Sequence, residues 1–418
     1  MSNSIAVEKL RIGMFIQLEG GWLSHPFPLS SFRLASADQI SVLRSLGLKS
    51  VRWLPERSDH DDDGQQLDAT RSDAAAQDPP PPVSITPEQT RQAALASQRE
   101  SARQCEAQHA ETSAVLRQAM ALSRSQPQPA GRATEALARA LLDKMLCTAE
   151  LGIRLMAGGG DRETAHAMNV AVISLLIGRT LGLGEQDMLD LSVGAMLHDV
   201  GKHDLPERTR HFDDSFVSSE VHSYRDHVNK GVAQGERMSL SAGALAVLAQ
   251  HHENADGSGF PSHLKAERMA LAVRVVAIVN RYDNLCNPQN RTPALTPHEA
   301  VAVLFAQGRQ RYDSTVLNGF IRMMGVYPAG SLVQLTDDRY AMVIGANCSR
   351  PLKPRVLVHD VKVAREQALL LDLEQHPALG IRRSVTANRL SPAALHYLDP
   401  RPRVSYYFES LESVARCQ

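Results

Sequence analysis

Six residues with metal-ligand chemistry sit at the ends or inward faces of separate apolar helical stretches. No other feature of the chain constrains its fold so strongly. His166 lies on the apolar face of "AHAMNVAVISLLIG", and His198 and Asp199 close "LSVGAML". His227 sits in "YRDHVNKG", and His251 and His252 close "AGALAVLAQ". The chain has 16 histidines, so any one of them carries little weight. Burying several imidazoles and a carboxylate from different helices without compensation is costly. A shared cation removes that cost, because neutral imidazole and carboxylate are natural ligands of first-row transition metals. A fold that satisfies this sequence must bring those helix ends together.

Adjacent ligands point to more than one ion. Successive helical residues diverge by roughly 100°, so His251 and His252 serve two neighbouring ions more readily than one. Asp199 can bridge such a pair through its two oxygens. Two ions ~3.5–4 Å apart acidify a bound water and clamp the attacking and leaving oxygens of a phosphoryl displacement. In "HDVGK", Gly201 lets the chain bend directly after the ligands, and Lys202 can reach an anionic oxygen as a point charge.

The rest of the chain arranges itself around this region, and the expected fold class is mainly α. Residues 131–325 carry helical periodicity and are expected to be an all-helical domain. Residues 1–57 predict a small α+β regulatory module, with "GMFIQL" and "SVRWL" as strands around the helix "SADQISVLRSLG". Residues 58–130 begin as an acidic, proline-rich linker. They continue as a polar, solvated helix capped by "TPEQ" at 86–89. Alternation after residue 326 predicts a β-rich C-terminal extension, 326–418.

A net charge of −1 argues against nucleic acid as a partner. No apolar run approaches the ~20 residues of a membrane span, so no membrane partner is expected either. The N-terminus lacks a secretory pattern. The five scattered cysteines suit a reducing cytoplasm.

Taken together, "HDVGK" (198–202), His166, "HVNKG", "HHENADGSGFP" (251–261) and "RVVAIVNRYDNL" resemble the HD-GYP domain over residues ~131–325. This is the HD-superfamily phosphodiesterase that hydrolyses cyclic di-GMP in bacterial signalling. The front module is similar to the small region that often precedes that domain. The resemblance implies a cytoplasmic hydrolase in which a metal-bound hydroxide attacks a phosphodiester phosphorus, giving pGpG or GMP. It implies His166, His198, Asp199, His227, His251 and His252 as ligands of two divalent ions, iron or manganese. Lys202 then contacts phosphate and, with Asp199, is catalytic, while Asp283 belongs to the nucleotide site.

Three positions depart from the family pattern. Phe260 stands for a tyrosine, and Asn280 stands for a ligating aspartate and offers only a neutral oxygen. Arg291 takes the family's arginine role, in substrate binding, only through a shifted loop. A third ion would want a glutamate where Arg162 stands, so two are expected. The "DGSGFP" loop is expected to be structural or to face a protein partner, and a homodimer is a further expected partner. Two other readings stay open: a degenerate HD-GYP domain that binds nucleotide or a partner without turnover, and an HD hydrolase of another phosphoester.

Overall fold

Strand and helix signals alternate closely in the first fifty residues, and they fold as one small sheet with a helix. β1 (Asn3–Ala6), β2 (Phe15–Gln17), β3 (Ser31–Arg33) and β4 (Ser50–Trp53) form an antiparallel sheet in the order β1-β4-β2-β3. Helix α1 (Ala37–Ser45) starts where the Ser36 hydroxyl accepts from the Gln39 amide. Ile16, Leu34, Leu43 and Val51 fill the core of this module. The computed structural model describes residues 3–59 apart from 19–24, 26, 28–30 and 35, and residues 86–411 apart from 149, 159, 291 and 348–351. Most of the expected acidic linker therefore lies outside the described residues. The chain divides into two units, Met1–Ala93 and Ala94–Gln418.

Helix α2 (Pro87–Leu122) starts at the expected cap, where Thr86 and Gln89 exchange hydrogen bonds, and from Ala94 onward it belongs to the second unit. It is followed by α3 (Pro127–Leu146), β5 (Leu151–Leu155), α4 (Arg162–Thr180) and α5 (Glu185–Leu197). Helices α6 (Ser218–Arg225), α7 (His227–Arg237), α8 (Ala242–Gln250) and α9 (Leu271–Cys286) come next. After α10 (Pro297–Arg311) and α11 (Ser314–Met324) the chain turns to strands. These are β6 (Leu332–Leu335), β7 (Tyr340–Asn347), β8 (Arg355–Val358), β9 (Leu371–Asp372) and β10 (Ile381–Ser384). Helix α12 (Pro392–Leu398) and β11 (Tyr406–Ser410) close the unit. Helix α4 is buried on nearly every face and packs on α5 and α9, while α5 also packs on α8.

The expected class holds: the fold is mainly α, with strands in the front module and after residue 326. One strand departs from the expected helical middle region and joins the C-terminal sheet. Strand β5 lies between β7 and β11 in one sheet ordered β10-β6-β7-β5-β11, with β8 on β7 and β9 on β8. All five residues of β5 are buried, so "LGIRL" shows no alternation of apolar and polar positions that would mark it. Its one charged residue, Arg154, donates to Glu409 of β11 at 2.9 Å, and Arg355 of β8 meets the same carboxylate.

Helix α2 is not solvated. Cys105, His109, Thr112, Leu116, Ala119 and Met120 are buried along it. The Thr112 hydroxyl lies 3.0 Å from the Tyr407 hydroxyl, and the His109 ring meets Tyr407 edge-on. This face has the 3–4 residue spacing of a packed helix, but small and polar residues build it, so a hydropathy reading passes over it.

One close approach sets the position of the site. A Cβ on Gly201 would fall 2.1 Å from the His227 carbonyl oxygen and 2.3 Å from the Gly231 nitrogen. Gly201 is therefore needed for contact between the "HDVGK" turn and α7, not for a bend. Gly201→Ala must push α7 away, an overpacking worth about 1–3 kcal/mol. The expected result is a lower unfolding midpoint together with reduced metal occupancy, because His227 opens α7. Thermal melts and metal analysis of the purified variant check both.

Candidate metal centre

The side chains converge from four elements. His166 projects from α4, His198 and Asp199 follow the last turn of α5, His227 opens α7, and His251 and His252 follow α8. Asp199, His227, His251 and His252 bring one ligand atom each within 4.8 Å of one another. His166, His198 and Asp199 form a second such group. Asp199 belongs to both and faces them with different oxygens. Its Oδ2 lies 3.3 Å from His198 Nε2 and 3.6 Å from His166 Nε2. Its Oδ1 lies 3.7 Å from both His227 Nε2 and His251 Nε2.

The tautomers follow from the other ring nitrogens. Nδ1 of His198, His227 and His251 lies 2.8, 2.5 and 2.9 Å from the carbonyls of Ala195, Tyr224 and Leu248. A carbonyl only accepts, so each Nδ1 carries the proton and each Nε2 presents a bare lone pair. These carbonyls belong to the last turns of α5, α6 and α8; at the ends of α5 and α8 the helix leaves them without an intrahelical donor, while that of Tyr224 also accepts from the Asp226 amide. His166 instead has Nδ1 2.6 Å from Asp283 Oδ2.

Pairs of Nε2 atoms then lie 3.1 Å apart in His166–His198, 3.3 Å in His227–His251 and 3.1 Å in His227–His252. With the protons on Nδ1 of His166, His198, His227 and His251, no hydrogen bond joins the first two pairs, and their lone pairs repel unless a cation lies between them. Asp199 Oδ1 is buried and has no hydrogen-bond partner. Both features fit divalent metal held between imidazoles and carboxylate.

The electrostatics agree. Burial holds the imidazoles of His251 and His252 well below their ordinary value, and neighbouring imidazoles push the same way. Burial, then Lys202, pushes His227 down to about 4. Neutral imidazole is the ligating form. Burial works to raise the Asp199 carboxyl, but Lys202 and His198 outweigh it and hold the group well below the carboxylate range. Burial likewise works to lower the Lys202 ammonium, and Asp199, 2.6 Å away, outweighs it. Both members of that pair stay charged at neutral pH.

The other anticipated residues separate. Asp283, expected at the nucleotide site, is fully buried behind His166, so it orients that ligand and does not face a nucleotide. Its second oxygen accepts from the Asn169 and Asn287 amides at 2.7 and 2.8 Å. Asn169 lies three residues after His166 and Asn287 four after Asp283, one-face helical spacings that could have flagged this support. Asn280 stands on the wall of the main cavity, where its Oδ1 accepts from Asn284 at 2.7 Å. Arg291 lies outside the described residues.

The glycine-rich loop turns one side inward. The Phe260 ring stacks on His252 with centroids 4.5 Å apart, and the Arg225 guanidinium lies 4.9 Å from the Phe260 centroid. Gly259 has no room for a side chain, since a Cβ would meet Asn254 N at 2.4 Å. Buried Glu253, which the sequence reading passed over, accepts from the amides of Ser262 and Leu264 and clasps the loop. A cavity of about 590 Å³ opens over His251 and His252, with Lys202, Arg225, Arg281 and Arg311 among its walls.

Residues 115–316 match the family described as HD domain, and residues 2–134 match a domain of unknown function, DUF3391. The chain carries an HD domain. That is a metal-dependent hydrolase fold, and the HD-GYP resemblance of the sequence holds. The chain is 27% identical over 368 residues to a cyclic di-GMP phosphodiesterase of Pseudomonas aeruginosa, covering 86% of this chain and 85% of that one. It is 28% identical over 162 residues to a cyclic di-GMP phosphodiesterase response regulator of Xanthomonas campestris, 38% of this chain and 43% of that one. It is also 28% identical over 156 residues to a 3'3'-cGAMP-specific phosphodiesterase of Vibrio cholerae, 37% and 30% respectively. No helix among the described residues is long and apolar enough to cross a membrane.

The depressed imidazoles of this HD domain set a pH dependence for the metal-free protein. Below the ordinary value of 6.5 the unfolded chain takes up protons at His227, His251 and His252 that the folded chain refuses. Their contribution is complete above about 6.5 and is lost as pH falls toward about 4. Thermal melts of the metal-stripped protein across that window should show a falling midpoint, and His227→Gln should flatten the slope.

Proposed function

We propose that the HD domain hydrolyses cyclic di-GMP with two divalent ions, iron or manganese, one on each side of Asp199. The observation that carries this reading is the split of the Asp199 oxygens between two histidine groups, one of which opens through His251 and His252 onto a cationic cavity of about 590 Å³. A cavity of that size is in the range that holds a small-molecule ligand. His166 and His198 would hold one ion, His227, His251 and His252 the other, with Asp199 common to both. Asn280 adds a neutral oxygen from the cavity side, since its carbonyl has a second lone pair beside the bond from Asn284. When bound, the ions supply an acidic water and positive charge at the phosphate.

The protein's own groups do the rest. Lys202 neutralises the outer oxygen of Asp199 and turns its remaining donors toward the phosphate. Arg225, Arg281 and Arg311 attract the dinucleotide into the cavity. Phe260 fixes the plane of His252 by stacking, so the ring, and not a tyrosine hydroxyl, is the part this loop needs. A protein partner, or a second copy of the chain, would meet the outer side of the same loop, where Asp256, Ser258, Pro261, Ser262 and His263 are exposed.

Turnover of cyclic di-GMP by the manganese- or iron-loaded protein, with products separated by chromatography, tests the reading. Asp199→Asn should lose metal and fall in rate by ~10²-fold or more, since the shared negative charge is gone. Metal bound at wild-type level with no turnover in the native protein would leave a nucleotide-binding module instead. Similarity to the cGAMP-specific relative makes 3'3'-cGAMP the second substrate in the assay.

Lys202→Met separates phosphate contact from metal binding. Removing a cation beside a cation site does not weaken the electrostatic hold on metal, whereas transition-state charge loses a partner. The expected outcome is intact metal content with turnover down ~10²-fold. Unchanged kinetics would reduce Lys202 to a counter-ion of Asp199.

A further inference from the structure

The metal centre opens on a second side. A cavity of about 230 Å³ reaches His166 between the start of α4 and the segment that leads into β11. The charged side chains lining it, other than His166, are Arg162, Arg401 and Arg403, and none is acidic. Two of the three come from a segment outside the HD match, which ends at residue 316.

That segment is tied down where it passes the site. The Asn287 side chain accepts from the Val404 amide and donates to the Val404 carbonyl, both at 2.9 Å. The Asn169 side chain donates to the same carbonyl at 3.0 Å and accepts from the Tyr406 amide at 2.8 Å. Both asparagines also donate to Asp283, which holds His166. The arginine loop and a metal ligand thus share one hydrogen-bonded support. Gln289 lines this cavity as well as the larger one over His251 and His252, so both meet at a single side chain.

We propose that Arg162, Arg401 and Arg403 form an anion subsite for the non-scissile phosphate of the dinucleotide, on the His166 side of the metal centre. The proposal rests on the phosphodiesterase reading above. Guanidinium groups suit phosphate through paired, charge-assisted hydrogen bonds. An arginine loop pinned to the core offers them with little ordering left to do.

The test compares wild type with R401Q/R403Q, R162Q and the charge-keeping R401K/R403K, all metal-loaded. The substrates are cyclic di-GMP and bis(p-nitrophenyl) phosphate, a diester with one phosphate. In R401Q/R403Q the KM for cyclic di-GMP should rise about tenfold or more, with kcat changing less and metal content preserved. R162Q should raise it in the same direction. The ratio of kcat/KM for cyclic di-GMP over the small diester should fall by about the same factor, and R401K/R403K should recover part of it. Equal KM in wild type and R401Q/R403Q overturns the subsite, as does an equal loss on both substrates. A wild type that turns over the small diester but not cyclic di-GMP fails the parent reading instead, and that result is distinct from either.

Discussion

The carboxylate of Asp199, with its two oxygens turned to different histidine groups, is the constraint around which the second unit is organised. Every element carrying a ligand must end or begin within a few ångströms of it, and the helices do. The device that makes this work is economical in residues. The last turns of α5 and α8 leave carbonyls without donors, and the histidines that follow give them Nδ1–H groups, as His227 does for the carbonyl of Tyr224 at the end of α6. One bond thereby completes a helix end and aims an Nε2 lone pair inward. Gly201 then allows the "HDVGK" turn to lie on the backbone of α7, so that ligands from two segments close to bonding range.

Most of this candidate centre was legible in the chain, because residues able to ligate metal are scarce types placed where an apolar pattern stops. His198, Asp199, His227, His251 and His252 meet as their positions near helix ends suggested, and His166 joins them from the apolar face of α4. What the sequence concealed was support. Asp283 sits in a run that resembles a nucleotide site, and only its complete burial and its 2.6 Å approach to His166 show that it works from behind. Strand β5 was hidden because a strand buried on both faces has no alternation to read. The buried face of α2 was hidden because threonine, cysteine and histidine build it, and their burial depends on Tyr407 and Phe408, some three hundred residues later. Long-range partners of that kind leave no local periodicity. The cap at Thr86, by contrast, is local, and it forms as its spacing required.

The loop after His252 shows the same division between local and distant causes. Its glycines mark a tight turn in any reading, yet their reasons differ. Gly257 takes a left-handed backbone, while Gly259 makes room for the chain crossing beside it. Glu253 then fastens the far side of the loop through two amides. The face of Phe260 lies on His252, so an aromatic plane is the requirement at that position and a phenolic oxygen is dispensable to it.

The clasp of Asn169 and Asn287 on Val404 and Tyr406 bears on how such a chain can change over evolutionary time. Signalling enzymes commonly diversify by exchanging whole segments at their borders, which succeeds where few bonds cross the border. Here the segment that enters the last described strand is bonded to the two asparagines that hold Asp283 behind His166, and the seam runs through the interior. A recombination that replaced the tail behind α11 would leave buried Asn169 and half-buried Asn287 without the Val404 and Tyr406 backbone groups they now bond, though both could still donate to Asp283. The tail and the hydrolase are therefore bound to be inherited as one piece. Diversity in this architecture has to accumulate by point substitution along the seam, or ahead of α2, where the front module forms a unit of its own.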